Sequence, residues 1–384
     1  MIKINEIQYR NAFQNHRDSI TPFIETQIQF YAYCFQTLNS HQTFNADTFI
    51  RIGKRRIGSL VSSLCKVDTQ IVFQNLPTIF NEETNFHEQV RGNLLNLLAL
   101  FNDLLNPTAT LYFKIFVEGD PIELRRIHQI LLIGYEFLFE DQEIKEPFKT
   151  IFEKIFNYED FKNDGINNWN AYDLTNSINL KVCPYCNRLF TYTVRDRNNG
   201  ALTRPELDHY LPKSKYPYFS LSFFNLIPCC NICNSIKRDN EFSSLSIFHP
   251  YLENDTGEED IHFEFRYDEN SETVEEIKEQ LIISINPKPA HDGNIETFLD
   301  KLETIYQEHK DISAISIWKK KIYTDEYIEF LAEQGSNGDP LEIENNIRSL
   351  RRAIFPQLES HLDIANIPLG KLMKESIETQ INNI

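Results

Sequence analysis

Two C-x-x-C pairs in the middle of the chain constrain its fold more than any other feature. They are CPYC, which starts at Cys183, and CNIC, which starts at Cys230. Four thiolates from two such pairs form a tetrahedral zinc site and clamp two segments of chain together. The predicted ligands of this structural zinc ion are Cys183, Cys186, Cys230 and Cys233.

The second pair has two possible registers, because Cys229 adjoins Cys230. We choose Cys230, since only Cys230 with Cys233 repeats the spacing of the first pair. A small unit of two strands and one helix buries too little apolar surface to be stable alone, so the metal would supply folding energy. A closed four-cysteine site has no open coordination position, and any reaction must therefore use other residues.

Composition indicates a folded protein, because 41% of the 384 residues are hydrophobic. The sequence contains no run of about 18 apolar residues, so we expect no membrane span. It opens without the basic and then apolar pattern of a secretory leader, and its paired cysteines indicate metal rather than disulfides. We therefore expect a cytoplasmic location.

The charge is unevenly distributed along the chain. The net charge is −18, which by itself argues against binding to nucleic acid. Residues 181–240, however, hold nine Lys and Arg against four acids, a net +5 that leaves −23 for the other 324 residues. A basic island in an acidic chain is typical of a site that faces phosphate, although five charges alone also fit a chance excess.

The pattern of apolar residues predicts helices on both sides of a short central block of strands. The predicted helices are Pro22–Leu38, Asp47–Cys65, His87–Leu105, Pro121–Phe139, Pro147–Phe156, a short one from Cys233 to Asn240, 295–306, Ile312–Gln334 and Glu342–Phe355. The predicted strands are Leu189–Val194, Glu206–Tyr210, Asn225–Ile227, His262–Tyr267 and Leu281–Asn286.

Three polar residues in the central block are suited to phosphodiester chemistry. Asp208 and Asn234 offer oxygen ligands for a hard divalent ion such as Mg²⁺. His209 offers an imidazole that can take a proton from attacking water near neutral pH. Neighbours in a strand point to opposite faces, so a local distortion would be needed for Asp208 and His209 to share a site. A histidine is also more often a simple hydrogen-bonding residue than a catalyst.

The order of motifs in 183–237 is more specific than any single residue. CPYC, ELDH, NLIP and CNICNSIK follow one another, and this order resembles the HNH (ββα-metal) endonuclease family in its zinc-binding branch. The resemblance implies that Asp208 binds the catalytic Mg²⁺ or Mn²⁺ and that His209 is the general base. It implies that Asn225 holds the loop and the base in place.

The resemblance also assigns Asn234 as the second metal ligand, and Lys213, Lys215 and Lys237 as contacts to phosphate. Asn234 departs from the family's name, which has histidine there. Asparagine occurs at this position in magnesium-using members, so we expect a different metal preference with activity retained.

The flanking sequences NWNAYDL and IFHPYLE resemble HNH proteins of bacterial antiphage defence, including Septu-type nucleases encoded beside an ATPase. This implies DNA as substrate and a separate ATPase or other defence subunit as partner, because the chain itself has no Walker A motif. We predict an α+β fold, mainly helical, with a central zinc-stabilised ββα-metal (HNH) module. The predicted domains are a helical one at 1–165, the nuclease module at 166–252, and acidic strands with C-terminal helices at 253–384.

Two other functions compete with the DNA nuclease. One is an RNA nuclease, for example one acting on tRNA, because the chemistry at the phosphate is the same. The other is a non-catalytic zinc-stabilised protein that binds nucleic acid or serves as a scaffold. The joint presence of Asp208, His209, Asn225 and Asn234 favours a nuclease, since a purely structural zinc module needs only its cysteines.

Overall fold

The computed structural model describes residues 2–40, 86–140, 142–198, 200–242, 249–252, 261–286, 293–356 and 366–378. Within these residues the protein is mainly helical with small sheets. The predicted helix Asp47–Cys65 lies outside the described residues, as does part of the acidic stretch after 252.

Helices dominate the first half of the described chain. They are α1 (Glu6–Ser40), α2 (Phe86–Leu105), α3 (Ile115–Glu118), α4 (Pro121–Gly134), α5 (Phe137–Glu140), α6 (Gln142–Ile155), α7 (Tyr158–Asn163) and α8 (Ala171–Ile178). The start of α4 shows how the sequence determines a boundary. The Asp120 carboxylate accepts hydrogen bonds from the backbone N–H groups of Ile122 and Glu123, and Pro121 occupies the first helical position.

The second half contains seven described helices. They are α9 (Asn231–Lys237), α10 (Val274–Gln280), α11 (Gly293–Tyr306), α12 (Lys310–Ile322), α13 (Asp325–Gln334), α14 (Pro340–Ile354) and α15 (Gly370–Glu378). The single helix predicted over Ile312–Gln334 is two helices, because Thr324 caps α13 by accepting a hydrogen bond from the Tyr327 backbone N–H. Helix α10 was not predicted, although Thr273 and Glu276 form a capping box at its start.

The described strands form three two-stranded sheets. The strands are β1 (Val194–Arg195), β2 (Ala201–Thr203), β3 (Glu206–His209), β4 (Leu226–Cys229), β5 (His262–Arg266) and β6 (Ile282–Asn286). They pair as β1 with β2, β3 with β4, and β5 with β6. The strand predicted over Leu189–Val194 is shorter than expected, since only a single bridge between Val182 and Phe190 precedes β1.

The chain forms two compact units, and each consists of separated segments. One, the helical unit, comprises Glu6–Ile178 and Leu207–Ile227. The other, the cysteine unit, comprises Met1–Asn5, Asn179–Glu206 and Pro228–Ile384. Segment 207–227 belongs to the same unit as the N-terminal helices. The domain boundaries expected at 165 and 252 stay a prediction.

Aromatic side chains fill the core of the helical unit. The fully buried rings are Tyr31, Phe101, Phe113, Phe116, Phe152, Phe156, Phe161, Tyr210, Tyr218, Phe219 and Phe223. Phe219, from the segment 207–227, lies against Phe116 of α3 with ring centroids 5.7 Å apart. Such aromatic contacts contribute stability beyond their buried area and hold the central segment against the helices.

A buried histidine fastens α1 to the same segment. His16 is fully buried, and its Nε2 lies 2.8 Å from the carbonyl oxygen of Leu221. Trp169 donates a hydrogen bond from Nε1 to His16 Nδ1 at 3.2 Å. Because a carbonyl only accepts, Nε2 bears the hydrogen and Nδ1 accepts, so both nitrogens are satisfied by the neutral ring.

We expect this histidine to destabilise the protein in acid. Burial lowers the pKa of His16 to about 4 from 6.5. Between these values the unfolded chain binds a proton that the folded chain does not, so stability falls as the pH falls from 6.5 to 4, by on the order of 3 kcal/mol. Urea unfolding at several pH values measures this loss. His16→Gln, which keeps one donor and one acceptor, should flatten the slope, and an unchanged slope would contradict the assignment.

Candidate functional site

The structure brings the four predicted cysteines together. The Sγ atoms of Cys183, Cys186, Cys230 and Cys233 all lie within 4.8 Å of one another, and all four side chains are buried. In the described part of the chain this is the one group of three or more His, Cys, Asp or Glu side chains close enough to hold an ion. The described cysteines are free thiols, so the cluster is not held by disulfides.

The size of this cluster fits a tetrahedral metal. A zinc–sulfur bond of about 2.3 Å places neighbouring sulfurs of a tetrahedron roughly 3.8 Å apart. The Sγ atoms of Cys186 and Cys230, which come from the two different pairs, are 3.9 Å apart. The buried cluster can therefore hold a structural metal such as zinc, and it includes Cys230 and not Cys229.

The electrostatics of the four thiols also favour a bound cation. Burial raises the pKa of the Cys183 thiol well above its ordinary value. Hydrogen bonds from Cys183 and Cys186 lower the pKa of the Cys230 thiol. Further thiolates in so small a buried volume would repel one another, and a divalent cation removes that repulsion and displaces the remaining protons.

The local backbone geometry orients the cysteine side chains of each C-x-x-C pair. Cys230 is the residue before α9, and the backbone N–H of Cys233 points to its sulfur at 3.4 Å. After the first pair, Asn187 adopts a positive φ of 47° that turns the chain. Its side chain then accepts a hydrogen bond from the Lys371 backbone N–H at 2.9 Å. The Tyr306 hydroxyl donates to the Cys186 carbonyl.

The predicted general base is held by a backbone carbonyl. His209 is 9% exposed in β3, and its Nε2 lies 3.0 Å from the Ser220 carbonyl oxygen. Since that oxygen only accepts, Nε2 bears a hydrogen. Tyr158 packs edge-on against the imidazole, with ring centroids 4.5 Å apart. These contacts define both the tautomer and the orientation of the ring.

Asn225 closes the loop that contains the histidine's acceptor. Its Oδ1 accepts from the Leu211 backbone N–H at 2.6 Å. Its Nδ2 donates to the carbonyls of Leu211 and Phe219, at 3.1 and 2.9 Å. Asn225 is 1% exposed, so these bonds form away from water. The side chain thereby joins the start of the loop to the residue that precedes Ser220.

The remaining predicted residues of the helical unit have different environments. Asp208 is buried in β3, with 3% exposure. Lys213 is exposed, and its Nζ lies 2.8 Å from Glu159 Oε1 and 4.9 Å from the Tyr158 ring centroid. The bond from Lys213 lowers the pKa of Glu159. Lys215 is exposed on the same loop.

The other two predicted residues belong to α9 in the cysteine unit. Asn234 is half-buried, and its Nδ2 donates to Glu206 Oε2 at 2.5 Å. Lys237 is fully buried, with Nζ 5.4 Å from the Phe242 ring centroid. The phosphate contact expected of Lys237 stays a prediction.

Several residues that contact the predicted site residues were not predicted from the sequence. Tyr158 and Glu159 come from α7, far from the motif along the chain, and no spacing rule connects them to His209. Glu206 had a signal, since it is an acid two positions before Asp208, and alternate residues of a strand share a face.

Comparison of the chain with protein-family models, with curated proteins and with solved structures gives no match. Among the residues that the structure describes, no helix combines the length and the apolar character that a membrane crossing requires.

Proposed function

We propose that the protein is a metal-dependent endonuclease of the HNH type that hydrolyses phosphodiester bonds in DNA. The observation that most supports this proposal is the arrangement around His209. A carbonyl acceptor at Nε2 and a packed tyrosine ring define one tautomer of a strand histidine, beside a buried aspartate. A purely structural zinc module would need only its four cysteines, and not Asp208, His209 and Asn225 as well.

In this proposal His209 takes the proton from the attacking water. Its Nε2 hydrogen stays with the Ser220 carbonyl, so the proton is accepted at Nδ1, which becomes N–H as the water oxygen bonds to phosphorus. The Ser220 carbonyl then stabilises the imidazolium that results. Asn225 restrains the loop and keeps this acceptor in position, which limits the reorganisation needed during reaction.

The donor set of the proposed site suits a hard divalent ion. Asp208 and Asn234 are the residues that would hold Mg²⁺ or Mn²⁺, which supplies neutralisation of the charge on the phosphate and on the leaving oxygen. One carboxylate and one amide leave room for water and for substrate oxygens, as is common for Mg²⁺. The Glu206 carboxylate accepts from the Asn234 amide nitrogen and so orients the amide oxygen.

Exposed lysines of the loop would position the nucleic acid. Lys215 is exposed, and Lys213 is paired with Glu159 across a surface where water screens the attraction. Surface ion pairs of this kind contribute little energy. A phosphate can therefore replace the Glu159 carboxylate at low cost.

The biological setting belongs to the same proposal and rests on the resemblance of the flanking sequences alone. We place the nuclease in the bacterial cytoplasm as an antiphage effector that a separate ATPase or other subunit restrains or delivers. A net charge of −18 agrees with weak affinity of the isolated chain for DNA.

Plasmid cleavage tests the proposed function. The zinc-loaded protein would be incubated with supercoiled DNA and Mg²⁺ or Mn²⁺, with Ca²⁺ as the control ion and tRNA as a parallel substrate. Nicked or linear products with Mg²⁺ or Mn²⁺ are expected. Cleavage of tRNA alone would favour the RNA nuclease. Absence of any cleavage, also with the protein encoded beside it added, would contradict a nuclease and favour a non-catalytic zinc protein.

A further inference from the structure

The hairpin that follows the first cysteine pair presents an unusual apolar surface. We call the rings of Phe190 and Tyr192, which are 55% and 44% exposed, the aromatic face. The rings of Phe190 and Tyr192 stack, with centroids 4.7 Å apart and planes at 18°. Thr191, between them, points to the other side and is buried. Contiguous exposed apolar groups of this kind mark interaction sites.

Hydrogen bonds hold the aromatic face in place before any ligand arrives. The Thr191 backbone N–H donates to the Lys181 carbonyl at 2.9 Å. At the hairpin turn, the Asp196 carboxylate accepts from the N–H groups of Asn198 and Gly200, at 2.8 and 2.6 Å. A Cβ on Gly200 would lie 2.6 Å from that carboxylate and would displace it from these two hydrogen bonds. A surface ordered in advance loses little entropy on binding.

The charge around the aromatic face is positive in an acidic chain. Residues 181–205 contain five Lys and Arg and one acid, a net +4, whereas the whole chain is −18. The Lys181 Nζ lies 5.6 Å from the Tyr192 ring centroid, so one of these cations is next to the stacked rings. Stacked rings beside cations complement a polymer that has flat bases and phosphates.

A second exposed pair of rings with the opposite charge around it serves as a comparison. Tyr327 and Phe330 on α13 are 42% and 52% exposed, with ring planes at 15°. Tyr192 and Phe190 are 44% and 55% exposed, a close match. Helix α13, however, contains four acids and no base. A nucleic acid would therefore be repelled at α13 and attracted at the hairpin, and α13 provides an internal control.

We propose that the aromatic face binds unpaired nucleotides of a single-stranded nucleic acid. Bases stack on Phe190 and Tyr192, and the phosphates lie near Lys181 and the hairpin arginines. Paired bases are already stacked inside a duplex and cannot offer their faces to these rings. The inference rests on the proposed function for its class of substrate, and it adds that a single-stranded stretch is recognised through stacking.

Direct binding tests this inference without cleavage. Fluorescence anisotropy would compare a fluorescein-labelled oligothymidine with a duplex of equal length, in buffer free of magnesium. The wild type should bind the single strand more tightly. Phe190→Ala and Tyr192→Ala should each weaken that binding about 10-fold or more, since one base–aromatic stack is lost. The matched control Phe330→Ala should bind as the wild type does.

Conservative variants separate stacking from misfolding. Tyr192→Phe keeps the ring and should retain affinity, whereas Tyr192→Leu keeps an apolar side chain and should lose it. Zinc content and thermal unfolding of each variant report whether the fold is intact.

Three results would overturn the inference. They are equal affinity for duplex and single strand, no binding of the single strand by the wild type, and unchanged binding by Tyr192→Ala and Tyr192→Leu. Unchanged binding would assign the face to a protein contact instead.

Plasmid cleavage run in parallel distinguishes the two proposals. Cleavage without hairpin-dependent binding removes this inference alone, and hairpin-dependent binding without any cleavage removes the nuclease alone.

Discussion

Replacing His209 with alanine is expected to reduce plasmid cleavage by about 10²- to 10⁴-fold, the usual contribution of a general base. The variant loses the only group in the proposal that takes the proton from water. The zinc content should stay at one ion per chain, because the cysteine cluster belongs to the other unit. Initial cleavage rates with saturating Mg²⁺ measure the effect.

Two further variants show whether the loss is chemical. His209→Gln keeps an N–H for the Ser220 carbonyl but has no basic nitrogen, so it should be as inactive as the alanine variant. Added imidazole should restore part of the activity of His209→Ala, because it fits the space that the side chain leaves. Full activity of His209→Gln would contradict the role of base and leave the histidine as a hydrogen-bonding residue.

Loss of the metal from the cysteine cluster is expected to have the largest effect on stability. Structural zinc contributes about 10 kcal/mol or more in small zinc domains, which is comparable with the whole stability of a typical domain. Cys230→Ala should therefore bind no zinc and should unfold at a much lower temperature than the wild type. Atomic emission for zinc and calorimetry for unfolding measure the two effects.

Cys229→Ala is the matched control for this prediction. Cys229 is the neighbouring residue and is also buried, but it is not part of the cluster. Its alanine variant should keep one zinc ion per chain. It should lose only the small contribution that one buried thiol makes to the stability of the protein. Loss of zinc from Cys229→Ala but not from Cys230→Ala would show that the second pair uses the other register.

The metal cluster and the strands around it were predictable because their signals are local. Equal spacing in the two cysteine pairs indicated which residues converge, and the apolar, β-branched patterns predicted β5 and β6 to within a residue. The strand expected over Leu189–Val194 failed for a physical reason. Its aromatic and β-branched residues suit a strand, but Asn187 turns the chain just before it, and most of the segment has no partner strand in the described residues.

Long-range contacts could not be predicted in the same way. A ring contact joins Tyr158 to His209, and a hydrogen bond joins His16 to Leu221, so two different helices contact the central segment. A similar limit applies to Lys237, whose contact with the Phe242 ring its charge did not indicate. Charge and spacing in a sequence do not state which side of a short helix is buried.

The chain order of the two units implies that a metal held by the four cysteines would also restrain a segment of the helical unit. Segment 207–227 leaves the cysteine unit and returns to it between Cys186 and Cys230, which are 44 residues apart. Closing that loop with a metal lowers the entropy of the unfolded chain and keeps the ends of the segment near each other. A newly made chain that has not acquired its metal would search a larger conformational space before Asp208 and His209 reach their places, so metallation would set the time at which the protein matures.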